Sequence, residues 1–104
     1  MKTRLATCLL ALTALSAYGK NVIVDVRTPE EYATGHIAGA INIEYTSIAQ
    51  GVAKSGISKD DTVILYCRSG RRSSIALDTL KAQGFSKAQN AGGLDEARKA
   101  LEKK

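Results

Sequence analysis

The sequence predicts a small α/β domain, a central parallel sheet with helices on both faces, and three observations carry that reading. Strand-like and helix-like runs alternate from residue 22 to the end of the chain, the pattern of βαβ units building a parallel sheet. The first run, Val22-Ile23-Val24-Asp25-Val26, is almost continuously β-branched, as in a strand covered on both faces rather than one. The heptapeptide Cys67-Arg68-Ser69-Gly70-Arg71-Arg72-Ser73 separates an apolar run from a helix-like run. Ligands of such sheets bind there, outside the carboxyl ends of the strands. The 104 residues give one small domain and no second one.

The fold begins after a leader. Lys2 and Arg4 form a positive start, residues 5–15 an apolar stretch, and Ala17-Tyr18-Gly19 places small residues where cleavage after Gly19 requires them; this is the pattern of a secretory signal peptide over residues 1–19. A buried first helix is the weaker reading, because nothing caps the stretch and its apolar residues run around every face. The stretch is also short of the ~20 residues that span a bilayer, so no stable membrane insertion is expected after cleavage. Cys8 lies too near the start for a lipoprotein signal and leaves with the leader. The mature domain, residues 20–104, then keeps one cysteine and can form no internal disulfide.

Each element has a local cause. After the first strand, Thr28 is an N-cap, Pro29 takes the first helical position and Glu31 completes a capping box. Gly35 to Gly39 break that short helix, and Ala40-Ile41-Asn42-Ile43 form a second strand. Residues 45–53 are loosely helical, a polar turn follows at residues 58–61, and residues 62–66 make the third strand. Beyond the cysteine loop, residues 74–83 form a helix with Ala76, Leu77 and Leu80 on one face; Gly84 is a left-handed C-cap that returns Phe85 onto Leu80. A brief fourth strand at residues 88–90, the Gly92-Gly93 pair and a last helix marked by Leu94, Ala97 and Leu101 and ending in Lys103-Lys104 complete the chain.

The loop carries the chemistry. A cysteine at a strand-to-helix junction meets backbone N–H groups and the helix dipole, and three arginines follow within five positions, so its thiolate is favoured and a small anion is drawn to it. A lone thiol kept by an exported protein points to reactivity rather than packing. The formal charge of +5 falls to +3 without Lys2 and Arg4. With four Tyr, one Phe and no Trp the chain lacks the basic, aromatic-interleaved stripe of a nucleic-acid binder. No Cys-x-x-Cys, His cluster or EF-hand spacing is present, so no metal or other cofactor is expected.

Four segments in order, Asp25-Val26-Arg27 with Glu31-Tyr32, residues 35–43, Cys67 to Ser73, and Asn90-Ala91-Gly92-Gly93-Leu94, resemble the single-domain rhodanese family over essentially the whole mature chain. With the leader, the resemblance is to its exported members and implies a periplasmic location. It implies a thiosulfate sulfurtransferase that passes a sulfane sulfur through a persulfide on Cys67. The substrate-binding candidates are Arg68, Ser69, Gly70, Arg71, Arg72 and Ser73, and Arg72 occupies the family's loop-closing position. The phosphatases of related fold use Cys-x5-Arg, and that position here is Ser73, which disfavours phosphate chemistry.

The charge of the loop suits the chemistry that the resemblance implies. Thiosulfate is a dianion attacked at its outer sulfur by a thiolate, and the repulsion between them must be offset by amides and guanidinium groups. Cyanide or a thiol then takes the sulfur, in a ping-pong scheme that needs no general base. His36, the only histidine, is therefore expected to be structural. Asp25 with Arg27 is expected as a structural ion pair, and Gly92-Gly93 as backbone geometry. The competing reading is a module that carries persulfide sulfur, or binds small oxyanions, without turnover.

Overall fold

The computed structural model describes residues 19–102; the leader pattern of residues 1–18, with Cys8, and the terminal Lys103-Lys104 lie outside the described residues. The elements are β1 (Asn21–Asp25), α1 (Pro29–Ala33), β2 (Ile41–Asn42), a 3-10 turn (Tyr45–Ser47), α2 (Ile48–Lys54), β3 (Thr62–Cys67), α3 (Arg71–Ala82), β4 (Gln89–Gly93) and α4 (Leu94–Leu101). The strands form one sheet in the order β2-β1-β3-β4, every neighbouring pair parallel.

Alternation along β1 and β3 sends successive side chains to opposite faces. Val24, Val26, Val63, Leu65 and Cys67 meet Ile48 and Val52 of α2, Ala76 and Leu80 of α3, and Phe85 in one core. Tyr66 joins Ile37, Ala40 and Ala97 on the other side, with Ile23, Leu94 and Leu101 packed against them. Helices thus cover both faces, and the continuous apolar character of β1 is explained. Among the described residues no helix is long and apolar enough to cross a membrane.

From β1 the chain passes to β2 on one side, and from β3 to β4 on the other. The order therefore reverses between β1 and β3, and the crevice at their carboxyl ends is the switch point where such sheets take ligands. A buried ion pair braces it. Arg27 donates from Nη2 to Asp25 Oδ2 at 2.6 Å and from Nε to Oδ1 at 2.9 Å, and its backbone N–H also reaches Oδ1 at 2.9 Å. Its Nη2 continues to the Gly35 carbonyl at 2.7 Å. The structural role expected of the pair is what the geometry displays.

The capping box of α1 is complete, with Thr28 Oγ1 accepting from the Glu31 N–H and Glu31 Oε1 accepting from the Thr28 N–H. Phe85 donates its N–H to the Leu80 carbonyl at 3.0 Å behind a left-handed Gly84.

Several boundaries differ from the sequence reading. β3 runs one residue further and contains Cys67. α3 starts at Arg71 rather than at residue 74, because Gly70 at φ +95° reverses the backbone, a conformation a side chain would oppose. β2 keeps only Ile41–Asn42, and residues 45–53 divide into a 3-10 turn and a helix. β4 lies at Gln89–Gly93 instead of 88–90. Its two glycines hide it from strand propensity, yet Gly93 pairs with Cys67, and a Cβ there would sit 2.5 Å from the Arg68 carbonyl oxygen.

Candidate active site

Cys67 ends β3 with its sulfur turned back under the loop that follows. The Gly70 N–H donates to Sγ at 2.9 Å, and Ser73 Oγ lies 3.4 Å from it. Burial pushes the thiol up, but the Ser73 hydroxyl and the amides of Ser73, Ser69 and Gly70 outweigh it and hold the group below the usual cysteine range. Cys67 has no exposed surface (0 %). Such a sulfur is a nucleophile in its thiolate form, held by donors already in place.

The six expected binding residues separate into distinct roles. Ser69 and Gly70 form the crest of the loop and supply amides. Arg68 and Arg71 are exposed, Arg68 reaching within 3.7 Å of Glu31 Oε2 with a side chain 79 % accessible; both cations are open to a solvent-borne anion. Arg72 is not free for substrate. Its Nη1 and Nη2 donate to Glu31 Oε1 and Oε2 at 2.9 and 3.0 Å, a two-pronged bond that ties the start of α3 to the start of α1. The Arg72 guanidinium is thereby raised, and Glu31, held by Arg72 and by the Thr28 N–H, is pushed down to about 2. Ser73 is buried below the loop, against Sγ rather than facing solvent.

Two residues of the site escaped the sequence reading. Glu31 figures in the sequence as a capping residue and within the first resemblance segment, with nothing nearby to pair it with Arg72. Asn90 stood out only as part of a segment near the fourth strand, yet its Oδ1 is 2.7 Å from Ser73 Oγ and accepts the Gly92 N–H at 2.8 Å, while its Nδ2 donates to the Gly70 carbonyl at 3.2 Å. An Asn two residues before a Gly, bonding that backbone, is a turn signature that can be read locally; its reach to the loop across the sheet cannot. His36 is elsewhere, stacked on Tyr32 with ring centroids 3.7 Å apart and Nδ1 2.9 Å from the Tyr32 carbonyl, and it makes no contact with the cysteine loop.

A cleft of about 590 Å³ opens beside the loop, lined by Arg27, Glu30, Glu31, Thr34, Arg68, Leu94 and Asp95. It lies over the strand ends, since Arg68 follows Cys67 and Leu94 follows Gly93, the residue paired with Cys67. A second molecule has room to approach there.

Comparison with known proteins agrees with this geometry. The Rhodanese-like domain family model matches residues 10–100. The chain is 38% identical over 91 residues to thiosulfate sulfurtransferase PspE of Escherichia coli, covering 85% of this chain and 88% of that protein. It is 36% identical over 80 residues to thiosulfate sulfurtransferase GlpE of Pseudomonas entomophila, covering 77% and 71% of the two. Among solved structures, a rhodanese with anions from E. coli superposes with a TM-score of 0.70 at 39% identity, over 73% of this chain and 89% of that one.

Proposed function

The chain belongs to the rhodanese family, and from that premise we propose that it is a thiosulfate sulfurtransferase carrying sulfane sulfur on Cys67. One observation carries the reading: at the carboxyl end of β3 a single thiol, titrating below its usual range, lies under a ring of loop amides with two open arginines beside it. In the first half-reaction the Cys67 thiolate bonds to the outer sulfur of thiosulfate, the donor's S–S bond breaks, and its electron pair leaves on sulfite. In the second, cyanide or a thiolate bonds to the outer sulfur of the persulfide, the S–S bond breaks, and the pair returns to Cys67.

The loop amides and the cations of Arg68 and Arg71 offset the repulsion between thiolate and dianion, while Arg72 holds the loop through Glu31. Cys67 is the one free cysteine among the described residues, so the persulfide is discharged to another molecule. The leader pattern of residues 1–19 supports a periplasmic site of action.

Thiocyanate production from thiosulfate and cyanide tests the reading. The expected result is many turnovers per chain, lost in Cys67→Ser while the circular dichroism is kept. One equivalent of thiocyanate and no more would favour the sulfur-carrier reading, and undiminished turnover by Cys67→Ser would place the nucleophile elsewhere.

A further inference from the structure

The Ser73 hydroxyl has one proton and three acceptors within reach. Asn90 Oδ1 is at 2.7 Å, the Gly70 carbonyl at 3.1 Å and Cys67 Sγ at 3.4 Å. The hydroxyl cannot serve all three at once. Either atom of the Cys67–Ser73 contact can donate; a thiol has an S–H to give to Ser73 Oγ, which leaves the Ser73 O–H for Asn90, its shortest partner. A thiolate has no proton to give and needs donors, and beyond the loop amides the Ser73 O–H is the side-chain donor within reach. Asn90 Oδ1 gives it up without being orphaned, because the Gly92 N–H still donates to it at 2.8 Å. Ser73 is buried, so water does not compete for the bond and the choice of acceptor is made inside the protein.

We propose that Ser73 is a second catalytic residue of the sulfur-transfer reaction, a hydroxyl rotor that donates to the Cys67 sulfur when the thiolate is free and to Asn90 when the sulfur is a thiol or a persulfide. Asn90 is its positioning residue. The inference rests on the sulfur-transfer reading and adds to it the hydroxyl that stabilises the charge developing on Sγ in the second half-reaction. When cyanide bonds to the outer sulfur and the S–S bond breaks, the electron pair collects on Sγ. The O–H bond of Ser73 stays intact and rotates from Asn90 to Sγ, so charge appears where a donor arrives and no proton changes owner.

The charged groups around the sulfur leave this role to Ser73. Arg68 and Arg71 stand in solvent, Arg72 of α3 is held by Glu31 of α1, Arg27 is paired with Asp25 after β1, and β4 presents the neutral Asn90.

The test separates a rotor from a merely structural pair by the sign of its effects. The thiolate is titrated by its ultraviolet absorbance in wild type, Ser73→Ala, Asn90→Ala and the double variant, and persulfide preloaded from thiosulfate is discharged with cyanide. Ser73→Ala is expected to move the thiolate midpoint to higher pH and to slow discharge about tenfold, the effect of one hydrogen bond to a charged group. Asn90→Ala, at an exposed position, frees the hydroxyl for the sulfur and is expected to move the midpoint to lower pH. The double variant is expected to match Ser73→Ala, because Asn90 acts through Ser73. A midpoint raised by Asn90→Ala, or unmoved by Ser73→Ala, would overturn the proposal. Should Ser73→Ala not fold, the direction taken by Asn90→Ala decides alone. Failure of wild type to load sulfur would count against the sulfurtransferase reading, whereas the titration of the unloaded thiol reads the rotor separately.

Discussion

Glu31→Gln is a substitution whose cost can be worked from the structure. Glu31 Oε1 and Oε2 accept two bonds from Arg72 at 2.9 and 3.0 Å, and Oε1 also accepts the Thr28 N–H at 3.0 Å. Carrying the carboxyl from its usual 4.5 down to about 2 corresponds to about 3 kcal/mol, at roughly 1.4 kcal/mol per pH unit. The side chain is 23% accessible, so screening by solvent is modest. Gln still accepts from the Thr28 N–H, and the expected loss is therefore the Arg72 share, about 2 kcal/mol at pH 7. Because folding lowers this carboxyl, its stabilisation is complete above pH 4.5 and is lost as pH falls through about 2. Urea unfolding at pH 7, 4 and 2.5 is the assay. The gap between wild type and Glu31→Gln should narrow steadily over that series. A gap below about 0.5 kcal/mol at pH 7, the level of an exposed pair, or one that does not change with pH, would refute the argument.

Arg72→Ala should lower kcat/KM for thiosulfate about tenfold by releasing the start of α3 from α1, while Lys99→Ala, on the exposed side of α4, should change it less than about twofold; equal effects in steady-state assays would mean that diffuse charge, not the held loop, captures the anion. Gly93→Ala should destabilise the fold by about 1–3 kcal/mol, since its Cβ would stand 2.5 Å from the Arg68 carbonyl oxygen. A thermal melt matching wild type would show that the cysteine loop has slack there.

What could be read in the sequence was local. The β-branched run of β1, the Thr28-Pro29-Glu31 cap, and the return of Phe85 behind Gly84 all depend on residues a few positions apart; the cap and the return stand as expected, and the strand begins and ends one residue earlier than residues 22–26. Cys67 could be placed at a strand-to-helix junction because apolar run, glycine and arginines adjoin in sequence. The partners of the loop could not. Arg72 meets Glu31 across 41 residues and Ser73 meets Asn90 across 17, contacts made only when β1, β3 and β4 lie side by side. Charge spacing alone therefore left open which of the three loop arginines meets the anion, whereas the fold uses Arg72 as a tie to Glu31. The start of α3 was obscured for a different reason: its N-cap is Gly70, which has no side chain with which to signal a cap.

The central claim is that Cys67 holds transferable sulfur, and intact mass spectrometry of the protein tests it most directly. The protein is incubated with thiosulfate, freed of small molecules, weighed, and chased with cyanide. The account predicts the gain of one sulfur atom on Cys67 and its loss on the chase as thiocyanate. An unchanged mass with the thiol still titratable would contradict it.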